Sequence, residues 1–241
     1  MNMKVVNDLL GYKNFKIVQN DEWFVFSLDS VLLPNFVRLN KSDKAILDIG
    51  TGNAPIPLIL STKTDAIIYG IEIQKDVYDM AVESVNLNSC SNQIKLINDD
   101  VNNIDKYFKP EFFDVIVSNP PYFKLNKDSI INKANAKALA RHEITLDLKH
   151  LIQIASKYLK NNGKFAMIHR TERLTEVLSL LSEYKLEPKR VKFIFPKKYS
   201  DSNLFIVEAV KNANPGIKSL THIIIHDDNG QYTEEVKRYF E

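Results

Sequence analysis

The sequence has almost no cysteine and no long apolar segment, and both absences narrow the classes of protein to which it can belong. Cys90 is the only cysteine among 241 residues, so an intrachain disulfide and a cysteine-based zinc site are excluded. No apolar run reaches the length needed to span a membrane, and no secretory signal pattern opens the sequence. We therefore expect a cytoplasmic protein with no membrane partner and no metal.

An excess of charge of one sign is also lacking, because 32 basic residues face 30 acidic ones and the formal net charge is +2. Affinity for nucleic acid would have to come from a local basic patch rather than from bulk charge. The chain is 44% hydrophobic and contains neither an internal repeat nor a linker-like stretch. We expect a monomer with a single domain over residues 1–241, in which residues 1–40 form an N-terminal hairpin and helix extension.

Strand-like and helical apolar patterns alternate from residue 45 onward, which predicts crossover units and a parallel sheet with helices on both faces. Strands are expected at 45–49, 66–72, 94–97, 113–117 and 164–168, and helices at 56–61, 75–88, 146–159 and 171–184. Asn161, Asn162 and Gly163 are expected to break the third helix, and Thr171 to cap the fourth.

The two ends of the chain depart from this alternation. Residues 191–195 and 204–208 are strand-like with no helix between them, so they should pair antiparallel, and 223–225 is a last strand-like run. Residues 15–18 and 23–26 are expected to form a hairpin, followed by a helix that polar residues within 27–30 cap and Pro34 shortens. The expected fold class is α/β: a Rossmann-like, seven-stranded, mostly parallel sheet with an antiparallel C-terminal strand pair, helices on both faces and a small N-terminal hairpin.

The segment at residues 118–123, Ser-Asn-Pro-Pro-Tyr-Phe, carries the clearest chemical signal. Its two prolines fix φ and donate no N–H, so they make a stiff, extended turn after the strand over 113–117. A planar amino group could donate to the Asn119 side-chain oxygen and to the Pro120 carbonyl, while Tyr122, joined by Phe123, stacks on the attached ring. The alternative is a proline-rich loop with a packed tyrosine. The predicted catalytic residues are Asn119, Pro120, Pro121 and Tyr122.

Acidic residues end three more predicted strands, and open α/β sheets bind ligands at the carboxyl ends of their strands. Asp48 precedes the turn Gly50-Thr51-Gly52, whose glycines allow the backbone to approach a ligand closely. Glu72 could accept from both hydroxyls of a ribose, and Asp99 or Asp100 from an adenine amino group. A plain strand-to-helix turn and solvated acids are the structural alternatives, and Gly-x-Gly also fits dinucleotide binding.

The order of these groups resembles the class I N-methyltransferases that use S-adenosylmethionine, over roughly residues 20–210. Within that group, three stretches are similar to the tRNA1(Val) adenine-37 N6-methyltransferase family: Phe-Ser-Leu-Asp-Ser-Val-Leu-Leu at 26–33, the segment at 118–123, and Ala-Arg-His-Glu at 140–143. The chain departs from the pattern after the Gly-x-Gly turn, where Asn53 is followed by Ala54 and Pro55 instead of the usual glycine.

The resemblance implies S-adenosylmethionine as cofactor and, as substrate, the N6 amino group of an adenine in RNA, namely adenine 37 in the anticodon loop of tRNA-Val. Of the two acids after the third strand it selects Asp100 for the cofactor and leaves Asp99 at the surface. The implied cofactor site comprises Asp29, Asp48, Gly50, Thr51, Gly52, Glu72, Ile73, Asp100, Val101 and Asn119, and the implied substrate-binding residues are Tyr122, Phe123, Arg141, Lys192, Lys197 and Lys198. Alternatively, Asp29 caps a helix, Arg141 begins a polar helix, and the lysines form a solvated face.

Other functions also fit these residues. A protein glutamine N5-methyltransferase solves the same chemical problem for an amide, but such enzymes usually carry a separate helical domain before the Gly turn, where this chain has only about 40 residues. A ribosomal RNA or DNA adenine-N6 methyltransferase is a second alternative. A non-catalytic protein that binds nucleotides or RNA on the same fold is a third.

Overall fold

A computed structural model describes residues 4–9, 14–20, 27–120 and 147–240. Its N-terminal part contains an antiparallel pair, in which β1 (Lys4–Asp8) lies against β2 (Lys16–Asn20). The sequence predicted a strand near β2 but not β1. The expected partner strand at 23–26 lies outside the described residues.

The central sheet has nine strands in the described part of the chain, rather than the seven that the sequence predicted. They are β3 (Ala45–Ile49), β4 (Ile67–Ile71), β5 (Ile94–Ile97), β6 (Phe113–Ser118), β7 (Leu159–Arg170), β8 (Leu186–Lys197), β9 (Leu204–Lys211), β10 (Lys218–Ser219) and β11 (Ile223–His226). The order is β10-β8-β9-β7-β6-β3-β4-β5, with β11 also paired to β8. The two additional strands are the short β10 and β11, and the expected C-terminal run at 223–225 is part of β11.

The directions of the strands confirm the predicted architecture. β3, β4, β5, β6 and β7 run parallel to their neighbours in this group, and β9 runs antiparallel to both β7 and β8. Because β7 and β8 are both antiparallel to β9, they point the same way. The carboxyl ends of β3, β4, β5, β6, β7 and β8 therefore all lie at one edge of the sheet, which we call the carboxyl edge.

Helices cover both faces of this sheet, as expected. They are α1 (Asp29–Phe36), α2 (Pro55–Ser61), α3 (Lys75–Leu87), α4 (Leu148–Tyr158), α5 (Leu174–Glu183) and α6 (Glu234–Lys237), with 3-10 turns at Val101–Lys106 and Thr171–Arg173. On β3, Ile46 packs into the apolar core that includes residues of α1, α2 and α3, while Leu47 packs into the core that includes α4 and α5. A strand buried on both faces is apolar throughout, which explains why it was easy to recognise in the sequence.

Three predictions about helix ends were wrong. The hydroxyl of Thr171 caps no helix and lies 3.0 Å from the hydroxyl of Ser202. Leu28 precedes α1, and no side chain caps that helix. The Asn161-Asn162-Gly163 stretch follows the end of α4 and belongs to β7, where the register against β6 shifts between Phe113 and Val115.

The N-terminal strand pair is fastened to α3 by side chains that bond its backbone. Ser84 Oγ accepts from the backbone N–H of Val18 at 2.9 Å, and Asn88 Oδ1 accepts from that of Lys16 at 2.9 Å. Asn53, in the loop after β3, donates from Nδ2 to the Val18 carbonyl at 2.8 Å. These bonds connect β2 directly to the loop that the sequence identified as a ligand-binding turn. Whether residues 1–40 are an extension of one domain stays a prediction.

A buried ion pair joins β8 to β9. Arg190 Nη1 donates to Glu208 Oε1 at 3.0 Å, and the two side chains are 12% and 3% exposed. Glu208 Oε2 also accepts from the backbone N–H of Arg38 at 2.9 Å, and Arg190 donates to the Phe36 carbonyl at 3.2 Å. Two charges in this environment depend on each other, because removal of one leaves the other without compensation.

Glu208→Gln should therefore destabilise the protein by about 3 kcal/mol, the lower end of the range for a broken buried pair. The free energy of unfolding in urea measures this. The matched control is Glu234→Gln, which removes a carboxylate that pairs with Lys237 at 2.6 Å on the surface, and whose unfolding free energy should stay close to that of the wild type. Equal losses in the two variants would contradict the importance of the buried pair.

Candidate active site

Four of the predicted site segments meet at the carboxyl edge. In the register of the sheet, Asp48 on β3 lies opposite Gly70 on β4 and Val117 on β6. Glu72 directly follows β4, and Asn119 directly follows β6. Since adjacent strands lie about 4.8 Å apart, these side chains share one small region of the surface. The sequence predicted this grouping from the strand order alone.

Asp48 is fully buried, and only one of its carboxylate oxygens has a protein partner. Oδ2 accepts from the Thr51 hydroxyl at 2.7 Å, while Oδ1 is buried without a hydrogen-bond partner. Burial raises the pKa of Asp48 to about 7, the bond from Thr51 opposes this, and the nearby Glu72 charge adds to it. A buried acceptor without a donor is costly, and we predict that a ligand supplies the donor.

Glu72 holds the glycine turn in place. Its Oε2 accepts from the backbone N–H of Gly52 at 3.1 Å, and its Oε1 accepts from that of Gln74 at 2.9 Å. Asn98 donates from Nδ2 to the Glu72 carbonyl at 2.8 Å, which fixes the backbone at this point. Glu72 is only 2% exposed, so it is a built part of the edge and not a solvated acid. Ile73, which follows it, is partly buried.

The turn after β3 uses three left-handed residues. Gly50, Gly52 and Ala54 have φ values of 72°, 59° and 71°. Ala54 takes the conformation for which glycine is usual, at a cost of about 1–2 kcal/mol, and Pro55 begins α2 as predicted. A Cβ atom placed on Gly50 would meet no heavy atom within 4 Å, so the backbone there borders open space. The departure from the family pattern therefore leaves the left-handed path of the turn intact.

Both acids after β5 accept hydrogen bonds from nearby groups of the chain. Asp99 is not a plain surface residue, because it accepts from Asn103, Lys106, Tyr107 and the backbone of Asp100. The bond from Asn103 is the main cause that lowers the pKa of Asp99 to about 2. Asp100 accepts from the backbone N–H of Asn102 at 2.9 Å and so caps the 3-10 turn that Val101 begins. Its role toward a cofactor stays a prediction.

Asn119 is oriented by α1, a contact that the sequence analysis missed. Its Nδ2 donates to the Ser30 hydroxyl at 3.4 Å, and Ser30 itself is 7% exposed. Asp29, the residue before Ser30, is the first residue of α1 and is partly buried, so the helix brings it to the same side of the sheet as Asn119. Pro120 completes the described part of the turn. Pro121, Tyr122, Phe123 and Arg141 lie outside the described residues.

The predicted basic patch is divided by the fold. Lys197 and Lys198 are exposed at the carboxyl end of β8, and Lys198 Nζ lies 5.2 Å from the centre of the Tyr199 ring, which is 88% exposed. Lys192 lies further back on β8, with Nζ 3.8 Å from Glu235 and a side chain only 17% exposed. The fold thus leaves Lys197 and Lys198 free to meet a substrate, whereas Lys192 is largely covered and faces a carboxylate.

His169, near the carboxyl end of β7, is 1% exposed, and its Nδ1 accepts from the backbone N–H of Arg170 at 2.8 Å. Burial and the nearby Arg173 charge lower the pKa of His169 to about 4, so it is neutral at physiological pH. No group of three or more metal-ligating side chains occurs among the residues with described positions. Over those same residues, no helix is both long enough and apolar enough to cross a bilayer.

Comparison with known proteins identifies the family. The model of the methyltransferase small domain matches residues 28–185, roughly two thirds of the chain. The chain belongs to the methyltransferase small domain family. The match includes α1, the glycine turn and the Asn-Pro turn, and it ends before the lysines of β8.

Relatives of known name agree with this family. A protein from Bacteroides thetaiotaomicron, named tRNA1(Val) (adenine(37)-N6)-methyltransferase, is 28% identical over 98% of this chain and 98% of its own. A protein of the same name from Trichodesmium erythraeum is 33% identical over 74% of this chain and 76% of its own. These relatives carry the family name that the three short stretches of sequence suggested.

Solved structures confirm the fold. A predicted O-methyltransferase from Agrobacterium tumefaciens superposes with a TM-score of 0.70 at 18% identity, over 88% of this chain and 95% of its own. P. horikoshii TYW2, solved in complex with MeSAdo, gives 0.60 at 12% identity over 88% and 73%. At these identities the likeness concerns the Rossmann-like architecture.

The family makes S-adenosylmethionine the cofactor of this enzyme, as the sequence predicted, and the carboxyl-edge site fits it. Asp48 has a buried acceptor in need of a donor, and the backbone at Gly50 borders open space. Both features suit the end of a ligand that carries an ammonium group. Asp48, Glu72 and the turn over Gly50, Thr51 and Gly52 are the residues that would hold it. The part of each residue in binding remains a prediction.

The raised pKa of Asp48 gives a pH-dependent prediction. Its folded pKa of about 7 lies above the value of 3.8 that an unperturbed aspartate has. Between these values the folded protein binds more protons than the unfolded chain, so the stability of the unliganded protein should fall as pH rises from about 4 to 7. Asp48→Asn removes the titrating group. The unfolding free energy of this variant should therefore increase relative to that of the wild type as pH rises across this window.

Cofactor binding should release a proton when Asp48 becomes ionised beside the positively charged ligand. Calorimetric titrations of wild type with S-adenosylmethionine at pH 6.5, in buffers of different ionisation enthalpy, should show this release. Asp48→Asn should abolish it and weaken binding by roughly tenfold, about 1.4 kcal/mol. Asp65→Asn, a surface substitution away from the site, is the control. Equal proton release in the Asp48 variant and the wild type would contradict the assignment.

Proposed function

We propose that this protein transfers a methyl group from S-adenosylmethionine to N6 of adenine 37 in tRNA1(Val). The observation that carries the proposal is the position of Asn119 and Pro120 at the end of β6, next to β3 with its buried Asp48. A cofactor at the glycine turn and a base at the Asn-Pro turn would then meet on adjacent strands. Holding two reactants in line is the main catalytic contribution that such a site offers.

Asn119 and Pro120 suit an exocyclic amine. Adenine N6 is a weak nucleophile because its lone pair is delocalised into the ring. Donation of its two N–H groups to the Asn119 Oδ1 atom and the Pro120 carbonyl would return electron density to nitrogen and aim the lone pair. Asn119 Nδ2 donates to the Ser30 hydroxyl at 3.4 Å, and this bond helps to fix the orientation of the amide group.

S-adenosylmethionine supplies an activated methyl group when bound. The chain itself needs no general base, because the N6 proton becomes acidic only as the new N–C bond forms. The neutral, buried His169 is consistent with this, since its Nδ1 accepts from the backbone N–H of Arg170. The protein residues therefore orient the amine and exclude other arrangements of the amine relative to the methyl group.

The base must also be taken out of its stack. A base in an anticodon loop is already partly unstacked, so extrusion costs less there than in a duplex. We propose that Tyr122 and Phe123 stack on the extruded base. Such stacking of a base on an aromatic ring would be worth about 1–3 kcal/mol per base. Pro121 would stiffen the turn, and Arg141 would contact the RNA.

Lys197, Lys198 and Tyr199 are proposed to contact the RNA backbone and a neighbouring base. They lie at the carboxyl edge, three strand positions from β6, or about 14 Å across the sheet. Ser200 holds their turn, since its hydroxyl donates to the Lys197 carbonyl at 2.8 Å. An exposed ring beside cations is the usual composition of a surface that binds single-stranded RNA.

The main rival is a protein glutamine methyltransferase. The relatives from Bacteroides thetaiotaomicron and Trichodesmium erythraeum, both named as tRNA methyltransferases, favour the proposed function over it. The proposal further includes a monomer that acts in the cytoplasm, where tRNA is available.

Incubation of the protein with labelled S-adenosylmethionine and unmodified tRNA, bulk protein or duplex DNA tests the proposed substrate. Label should enter tRNA as N6-methyladenosine at position 37 of tRNA1(Val). The same nucleoside should be missing from tRNA of cells that lack the protein. Label in a protein glutamine but in no RNA would overturn the proposal.

Asn119→Ala tests the role of Asn119 in the same assay. This variant should lose transfer by several orders of magnitude and keep a dissociation constant for S-adenosylmethionine within about twofold of the wild type. Collapse of cofactor affinity instead would show that Asn119 does not act on the substrate.

Replacement of Lys197 and Lys198 by Glu should weaken tRNA binding by roughly tenfold and reduce the slope of log K against log salt by up to about 1.8, because two phosphate contacts are lost. The control is replacement of Lys95 and Lys109 by Glu. Both control lysines are exposed: Lys95 lies on β5, at the opposite end of the strand order from β8, and Lys109 lies in the segment before β6. If the two double variants bind tRNA equally, Lys197 and Lys198 form only a solvated face.

A further inference from the structure

A second basic region lies at the opposite edge of the sheet. It is a cavity of about 350 Å³ whose lining includes Arg38, Lys164, Lys189, Arg190, Lys218 and Glu208. This volume is at the lower end of the range for small-ligand sites, about 300–1,000 Å³. Lys164 lies six positions before Arg170, which is at the carboxyl end of β7. The cavity is therefore about 20 Å along the strand from the carboxyl edge. It is separate from the candidate active site.

Two of the five cations in this lining are already paired. Lys164 Nζ lies 3.0 Å from Asp43 Oδ2, and Arg190 is paired with Glu208. Within the described residues, the buried Nε atom of Arg190 has no hydrogen-bond partner, while Nη1 is bonded to Glu208. These two cations belong to the structural framework of the cavity.

The other three cations lack a carboxylate partner in the described part of the chain. Lys189 Nζ donates to the backbone carbonyl of Asn214 at 2.9 Å, and Arg38 and Lys218 have exposed side chains. They come from three separate elements: the segment after α1, β8 and β10. The fold thus concentrates about three uncompensated positive charges around one small cavity, in a chain whose net charge is +2.

We propose that this cavity binds a phosphate group. A group with two or more negative charges and several acceptor oxygens matches several converging donors better than a single carboxylate does, and guanidinium and ammonium groups are the usual ligands of phosphate. The phosphate comes either from the backbone of an RNA or from a small phosphorylated molecule. Binding at this edge does not depend on methyl transfer at the other.

The test is calorimetric titration of the full chain with pyrophosphate. Replacement of Lys189 and Lys218 by Met should weaken binding at least tenfold, while leaving the ion pairs of Lys164 and Arg190 in place, so that the thermal unfolding temperature is retained. Lys95→Met with Lys109→Met is the matched control, because Lys95 also donates to a backbone carbonyl, that of Ser91 at 2.7 Å. The control should bind pyrophosphate as the wild type does.

Titration of the same variants with a tRNA transcript distinguishes the two sources. If tRNA affinity and its salt slope fall together with pyrophosphate affinity, the RNA backbone occupies the cavity. If only pyrophosphate affinity falls, the ligand is a small phosphate ester. Absence of pyrophosphate binding in the wild type, or equal binding by the Lys189/Lys218 and control variants, would overturn the proposal. Loss of binding only on replacement of Lys197 and Lys198 would place the anion at the carboxyl edge and also overturn it.

Discussion

Burial of the Asp48 carboxylate beside Glu72 is the constraint around which the site is arranged. Burial is the main cause that raises the pKa of Asp48, the nearby Glu72 charge adds to it, and each buried oxygen needs a donor. The protein supplies donors from the Thr51 hydroxyl and from the Gly52 and Gln74 backbones but leaves Asp48 Oδ1 unpartnered. We predict that a cationic ligand donates to this oxygen.

The left-handed turn after β3 follows from this constraint. Gly52 can present its N–H to Glu72 only because the chain turns sharply between Gly50 and Ala54, where Gly50, Gly52 and Ala54 have positive φ. Asn53 then fastens the outer side of the turn to β2. The N-terminal strand pair therefore helps to hold the glycine turn in place, although it contributes none of the predicted cofactor-binding residues.

The two edges of the sheet have different electrostatic characters. The carboxyl edge holds the buried acids and a protruding turn with Lys197, Lys198 and Tyr199. The opposite edge holds the cations around the cavity, which come from the segment after α1 and from β7, β8 and β10. Because the net charge is nearly zero, this separation arises from placement of charges and not from composition. A polyanion or a phosphate ester would experience a local positive field at these cations, although the net charge of the whole chain is nearly zero.

Much of the carboxyl edge followed from the sequence because parallel strands place their carboxyl ends together. The apolar runs over 45–49, 67–71 and 113–117 are buried on both faces, so they were recognisable, and the acids and the asparagine that follow them had to meet. The stiffness of the Asn119-Pro120 turn also comes from covalent geometry alone.

Contacts between residues far apart in the chain were decided only by the tertiary structure. The bond between Asn119 and Ser30, the pair of Arg190 with Glu208 and the pairing of β1 with β2 leave no local pattern, because each depends on how separate elements pack. The same is true of Lys192, whose environment is set by α6. Local sequence determined which elements form and what chemistry each end carries, while packing determined which charges are buried, which are paired and which still face a ligand.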